Sequence, residues 1–436
     1  MNKYQTALVL GCGRSGKAAE RLLRAEGTEV SMVAEETAGL PEVVQLLGGQ
    51  PFDICIVSPG FALSHPWICA VRDAGVPLLS ELELGWSRHR GKTVALTGSN
   101  GKSTAVKWIC EMLQLSGQRA EIGGNYGVPV CEVVLENPDL DWLVLEVSSF
   151  QLETVQDFYA EVAVLLNILP NHLDRHETME IYRRTKARIF GSSLLTGDAC
   201  LAPVDWVDRI KEDLAGSKSN WVTFGPVETA DFSYEKGRIS HNGGVVADLS
   251  GTLFDSPMIG GCTGAAVIAV AAACNVPFSA AVTAAREFKP LPHRLQKLGV
   301  IKGIEYINDS KATNLAAVSA ALQATEPPIH LIAGGIPKES DFTFLKEILA
   351  ERVRSIYVIG QASQAMREAW IGVCSCVECG TLENAFNTAE KAAKRGETIL
   401  LSPGCASFDQ FLSFEERGER FTALFEKSLQ RGGDAS

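Results

Sequence analysis

Two short stretches constrain the fold more than anything else in the chain: TALVLGCGRSG at residues 6–16 and TVALTGSNGKST at 93–104. In each, an apolar run stops at a glycine-rich turn and a helical pattern begins. Strand, tight turn and helix form the repeating unit of a parallel α/β sheet. The first unit has strand-like runs at 6–10, 29–33 and 53–57, with helical patterns near 15–25 and 41–47, and ends near SELELGWSRHRGK. A second opens with a strand at 92–97 and a helix from about 102 to 116. It continues through strands at 142–147 and 161–167, a turn-rich stretch of short β signals over 220–250, and a helix near 263–274. KPLPHRLQ at 289–296 carries two prolines and reads as an interdomain joint. Beyond it, strands are expected at 304–308, 329–333, 355–359 and 398–401. The sequence thus predicts an α/β protein of three domains, over 1–90, 91–289 and 290–436.

At 436 residues the chain is too long for one ordinary core. Lys plus Arg number 40 against 52 Asp plus Glu, a formal charge of −12. That balance argues against sequence-independent nucleic-acid binding, which needs a basic footprint. It leaves room for a small anion held by backbone amides and a few placed cations. No stretch reaches the roughly 20 apolar residues of a membrane span. The run AAVIAVAAACNV at 265–276 is short and alanine-rich, as in a packed helix. The first apolar run is too short for a signal sequence. The 12 cysteines lie mostly in apolar segments, such as Cys55 and Cys110, the pattern of reduced thiols in a cytoplasmic protein. Cys374, Cys376 and Cys379 cluster in VCSCVECG. No second CxxC supplies the remaining zinc ligand, so they read as structural.

GCGRSG, Gly11 to Gly16, matches G-x-G-x-x-G between a strand and a helix, and Glu35 ends the next strand. On pattern alone an NAD-dependent hydride-transfer enzyme fits. The physics asks only for a pyrophosphate at a helix N-terminus, so a UDP-sugar fits equally. Glu35 could accept from a ribose hydroxyl or be a solvated strand end, and the turn could hold no ligand.

The second turn is shorter than the usual G-x-x-x-x-G-K-[ST] loop: only Ser99 and Asn100 separate Gly98 from Gly101, and Leu96 stands where the first glycine belongs. Its chemical parts are complete. Gly98 and Gly101 free the backbone, Lys102 can reach terminal phosphates, and Ser103 or Thr104 can ligate Mg²⁺. Glu146 ends WLVLEV, where a carboxylate could hold Mg²⁺ or be an ordinary strand-end acid. His172, in NILPNHLDRH, could bind a metal or be a satisfied loop histidine. Lys186 shares its helix with Arg183, Arg184 and Arg188, and a lysine there is usually a solvated face.

Together these features resemble the Mur ligase superfamily, ATP-dependent enzymes that join an amino acid to a growing carboxylate. The resemblance lies in the short loop, the strand-end Glu146, the Asn-x-x-x-x-His-x-Asp-Arg segment and the downstream lysine. EIGGNYG (121–127), LEVSSFQLE (145–153), LPHR (291–294), NDSKATN (308–314) and LSPGCASFDQF (401–411) extend it essentially end to end. SSFQLE and CASFDQF point to the members that add D-glutamate.

The resemblance implies a Rossmann-like N-terminal domain, a P-loop ATPase-like central domain and a Rossmann-like C-terminal domain. It implies that ATP phosphorylates the carboxylate of UDP-MurNAc-L-Ala and that the amine of D-glutamate displaces phosphate. Lys102, Glu146, His172 and Lys186 would be catalytic. Gly98, Ser99, Asn100, Gly101, Lys102, Ser103 and Thr104 would hold the phosphates of ATP, and Arg294 and Asp309 its phosphate and ribose. Two Mg²⁺ ions would lie by Ser103, Glu146, His172 and Lys186, the lysine carried as a carbamate. Arg14, Ser15 and the turn Ser58, Pro59, Gly60 would meet the uridine end, and Asn125 and Ser148 the muramoyl-alanine part. Thr313, Lys338 and Ser407 would bind D-glutamate, with Phe414 alongside. The joint near 289–293 would let the third domain close. A cytoplasmic monomer without membrane or nucleic-acid partners is expected.

The chain also departs from the family pattern. Relatives carry His-Asn-x-x-Asn before the joint, whereas this chain reads MIGGCTGAAVIAV at 258–270, with Thr263 at the second Asn. Gln296 replaces a common Glu after HRL, and Glu35 a usual Asp. A sibling ligase, a folylpolyglutamate-type ligase and a catalytically impaired nucleotide-binding regulator remain alternatives.

Overall fold

The structure, a computed structural model, describes residues 4–34, 38–191, 199–214, 220–255, 260–338 and 341–433. It divides into two compact units: Met1–Ile168 with Glu177–Phe288, and Leu169–His176 with Lys289–Ser436. Among the described residues no helix is long and apolar enough to cross a membrane.

The first sheet holds β1 (Thr6–Leu10), β2 (Glu29–Val33), β3 (Ile54–Val57) and β4 (Leu78–Ser80), in the order β2-β1-β3-β4. All its pairings are parallel. Successive residues of β1 point to opposite faces. Leu8 and Leu10 pack with Cys55, Val57 and Trp67, whereas Ala7 and Val9 pack with Leu22 and Leu23. Both faces are thus covered, which explains runs without polar alternation.

The second sheet holds β5 (Lys92–Thr97), β6 (Ala120–Gly124), β7 (Trp142–Glu146), β8 (Val162–Leu165), β9 (Ala199–Pro203), β10 (Asn220–Gly225), β11 (Phe232–Glu235), β12 (Arg238–His241) and β13 (Gly244–Asp248). Its order is β13-β12-β11-β10-β9-β8-β5-β7-β6. The strands run parallel from β6 to β11, and β12 and β13 finish it as antiparallel hairpins. The alanine-rich stretch is a helix, Ala265–Ala273, buried from Ala265 to Ala271. A further helix, Phe278–Glu287, follows.

The third sheet holds β14 (Gln296–Ile301), β15 (Ile304–Asn308), β16 (Ile329–Gly334), β17 (Val353–Ile359), β18 (Ser375–Gly380) and β19 (Thr398–Leu401), in the order β14-β15-β19-β16-β17-β18. Only β14 is antiparallel to its neighbour. The sequence reading anticipated neither β4, β6, β9 nor the two edge strands β14 and β18. β4 has three residues, β6 ends in two glycines, and β14 and β18 are half exposed, so none of these four shows a full apolar run, while β9 is a short apolar stretch ending in proline. Cys376 and Cys379 lie on β18 and Cys374 just before it.

Within the first unit, two buried carboxylates of the helix Glu81–Trp86 bind backbone amides of later segments. Glu81 Oε1 accepts from Cys131 N at 2.7 Å, in the first turn of the helix Val130–Glu136. Glu83 accepts from the amides of Gln156 and Asp157. Burial, with lesser repulsion from Glu132, pushes the Glu81 carboxyl from 4.5 up to about 7. A folded value above the ordinary one favours the neutral acid. Stability is therefore full below about 4.5 and falls as pH rises towards about 7, by about 3 kcal/mol at most. Glu81→Gln stays neutral at every pH. Its melting temperature relative to the parent should climb between pH 5 and pH 8, and a difference constant across that range would refute the assignment.

Candidate active site

The phosphate loop follows β5. Gly101 has φ of 80°, a left-handed conformation that glycine adopts without steric cost, and caps the helix Lys102–Leu115. Helix N-termini present amides and partial positive charge to anions. Lys102 Nζ donates to Gly98 O at 2.8 Å and to Ser99 O at 2.9 Å, folding back over the loop. Thr104 lies in the first turn of the same helix. The loop is short yet complete.

Register brings the next groups to it. Leu96 of β5 pairs with Glu146 of β7, so the strand-end carboxylate stands beside the loop. Ser103 Oγ donates to Glu146 Oε2 at 2.5 Å, and Asn125 Nδ2 to Oε1 at 2.6 Å. Glu146 and Ser103 are each 2% exposed. A hydroxyl and a carboxylate are hard oxygen donors and fit Mg²⁺, which retains waters and phosphate oxygens as its other ligands.

Lys186 is not a solvated face. It is 1% exposed, and its Nζ donates to Gly98 O at 2.8 Å and Thr97 Oγ1 at 3.3 Å. Burial, then the charge of Lys102, holds its amine well below the ordinary lysine value, while Glu146 opposes the shift. The Tyr182 ring lies 4.7 Å from Nζ, and its hydroxyl is 3.1 Å from Ser99 Oγ.

The first glycine turn is a close approach. A Cβ at Gly16 would fall 1.9 Å from the Gly11 carbonyl oxygen, so the position admits no side chain. Ser58 follows β3 across from Gly11, and its buried Oγ has no hydrogen-bond partner. Pro59 and Gly60 continue that turn. Arg14 opens the helix Arg14–Ala25, with Ser15 next, and donates to Gly127 O at 3.1 Å, just past Asn125. Ser148 caps the helix Ser149–Leu152 in a reciprocal box with Gln151. Glu35 lies outside the described residues, as do 258 and 259 of the altered segment. Thr263 Oγ1 would lie 3.1 Å from a Cβ at Gly101, so the altered segment abuts the loop.

The second unit carries the remaining predicted residues. His172 has φ of 56°, uncommon for a side chain of its size, and the neighbouring Asn171 Oδ1 is buried without a hydrogen-bond partner. Lys338 Nζ donates to Thr313 Oγ1 at 3.3 Å. A cavity of about 760 Å³ lies beside Lys338, lined by Leu173, Leu315, Pro337 and Phe342. Asp309 is buried, accepting from Ser402 Oγ at 2.9 Å and Leu295 N at 3.1 Å next to Arg294. Burial pushes its carboxyl up to about 7. Ser407 is buried, and Phe414 opens the final helix, Phe414–Gly433.

Sequence reasoning missed Arg417, which sits in that helix but is 1% exposed. Its guanidinium donates to Ser310 Oγ and O and to Cys405 O, tying NDSKATN to CASFDQF. No local signal separates it from a surface arginine. It also missed Tyr182 and Asn167, although Asn167 opens the Asn-x-x-x-x-His segment.

Along nearly its whole length the chain resembles known proteins. Residues 96–274 match the Mur ligase middle domain and 293–405 the Mur ligase glutamate ligase domain. A UDP-N-acetylmuramoylalanine–D-glutamate ligase of Acidobacterium capsulatum is 35% identical, covering 97% of this chain and 96% of its own. One of Pelotomaculum thermopropionicum is 37% identical, covering 98% of each. Among solved structures, MurF ligase of Thermotoga maritima in complex with ADP superposes with a TM-score of 0.65 at 17% identity, covering 98% of this chain and 95% of that one. UDP-N-acetylmuramate-alanine ligase MurC of the same organism gives 0.63 at 16%, covering 98% and 100%. A parallel α/β chain with a short phosphate loop, whose glycine turn by pattern alone admitted a nicotinamide enzyme, therefore belongs to the Mur ligase family, among the UDP-N-acetylmuramoylalanine–D-glutamate ligases.

Proposed function

We propose that this protein joins D-glutamate to UDP-N-acetylmuramoyl-L-alanine at the expense of ATP, in the synthesis of peptidoglycan precursors. The observation that carries the reading is the buried Ser103–Glu146 pair at the mouth of the phosphate loop, in a chain with D-glutamate ligase relatives along its whole length. In the reaction the alanyl carboxylate attacks the γ-phosphorus and ADP leaves. The D-glutamate amine then attacks the acyl carbon, and the tetrahedral adduct expels phosphate to leave an amide.

The residues divide that work. Gly98 to Thr104 cradle the phosphates, and Lys102 swings from its loop carbonyls to the β/γ oxygens. Ser103 and Glu146 would hold one Mg²⁺, and His172 would help hold a second. Magnesium, when bound, offsets the charge gathered on the phosphates. Arg294 and Asp309 serve the phosphate and ribose of ATP. The uridine end lies against Arg14, Ser15 and Ser58 to Gly60, where the unsatisfied Ser58 hydroxyl finds a partner. Asn125 and Ser148 meet the muramoyl-alanine part. Thr313, Lys338 and Ser407 take the D-glutamate carboxylates, with Phe414 beside them. The protein acts as a monomer, in the cytoplasm, on small molecules, and its −12 charge disfavours nucleic acid as a partner.

Lys186 is proposed to act as a carbamate. The buried neutral amine adds to CO₂ through its lone pair, one N–H proton passes to water, and an anion replaces the neutral amine near Glu146. The carbamate would supply an anionic oxygen donor beside Glu146.

Two measurements test these assignments. Protein, MgATP and UDP-MurNAc-L-Ala should release phosphate and give a product of the ligated mass with D-glutamate, and not with L-glutamate or L-lysine. Lys102→Ala should lower that rate on the order of 10²–10³-fold, and full turnover in the variant would defeat the reading. Removing CO₂ from the buffer should slow the parent enzyme and bicarbonate should restore it. Lys186→Ala should be slow and indifferent to bicarbonate, and a parent equally fast without CO₂ would exclude the carbamate.

A further inference from the structure

The shortened loop is braced by a side chain from the turn that follows β8. β5 and β8 run parallel with Thr97 opposite Leu165, and Leu166 N donates to Thr97 O at 2.8 Å. The chain beyond β8 keeps this register alongside the loop, bringing Asn167 level with Ser99. Ser99 N donates to the Asn167 carbonyl at 3.1 Å and to its Oδ1 at 3.0 Å. Asn100 N donates to the same Oδ1 at 3.0 Å, and Asn167 Nδ2 donates to Asn100 O at 3.0 Å. One carboxamide thus satisfies two amides and one carbonyl of the turn.

We propose that Asn167 is a positioning residue for the nucleotide, its carboxamide bracing the short loop and fixing the turn that delivers Lys102, Ser103 and the helix N-terminus to the phosphates. The proposal rests on the ATP reading of this loop. Its chemistry is specific to asparagine. Aspartate keeps the acceptor but loses the donor to Asn100 O and adds a negative charge beside the phosphates. Alanine loses all three side-chain bonds, and glutamine is one methylene too long for the same register.

The test compares parent, Asn167→Ala and Asn167→Asp by titrating MgATP and MgADP in binding assays and by steady-state kinetics. Asn167→Ala should weaken MgATP binding at least tenfold and raise KM for ATP by a similar factor. KM for the UDP-sugar acid and for D-glutamate should stay within twofold of the parent. Asn167→Asp should bind MgATP weakly as well, with a smaller loss for MgADP because one phosphate fewer meets the added charge. A purely structural role would lower kcat or melting temperature without this nucleotide-selective pattern. If Asn167→Ala does not fold, the ATP-to-ADP ratio in Asn167→Asp decides alone. Parent-like ATP affinity in the folded variants overturns the positioning role while leaving the ATP reading intact. A parent that binds no MgATP removes the ATP reading and this inference together.

Discussion

The parallel pairing of β5 with β7 and β8 is the constraint on which the first unit depends. Parallel strands end on the same edge, so the loop after Thr97, the carboxylate at Glu146 and the turn after Leu165 are forced together however far apart they lie in sequence. The register Leu96 with Glu146 and Thr97 with Leu165 decides which side chains meet. A shift of one residue would turn Glu146 to the other face of the sheet and separate it from Ser103. Hydrophobic burial on both faces holds the register: Val94, Leu96, Val144 and Val164 pack on one side, and Ala95, Leu143, Leu145 and Leu165 on the other.

Much of this was legible in the chain because its signals are local. The apolar runs of β1, β5, β7, β15, β16, β17 and β19 announce themselves, and the two glycine turns mark where strands hand over to helices. Glu146 was legible as the acid ending an apolar run. The orientation of Lys186 was not. Three arginines stand near it in the sequence and suggest a solvated face, and only the tertiary packing shows that Lys186, like Tyr182, turns inward, its amine reaching Gly98. The edge strands escaped for a related reason. β14 and β18 bury few side chains, so pairing rather than composition makes them strands.

The second unit shows how a polar scaffold can be invisible in one dimension. Arg417 is fully desolvated, and burial pushes its guanidinium down to about 10. Four hydrogen bonds to Ser310 and Cys405 offset that cost and join the two loops that carry Thr313 and Ser407. Asp309 is likewise buried and bonded on both carboxylate oxygens. The polar residues of the two motifs are thus fixed from behind by buried partners.

The helix Ala265–Ala273 carries a consequence of its own. Every residue from Ala265 to Ala271 is enclosed, and the side chains there are no larger than isoleucine. An added methylene has nowhere to go, and overpacking of this kind costs about 1–3 kcal/mol. The exposed face of the helix Leu40–Gly49, where Val44 is 52% accessible, has no such limit. Across divergent descendants of this chain, residue volume near 265–271 should drift slowly while that of 40–49 wanders, a contrast imposed by steric crowding rather than by chemistry.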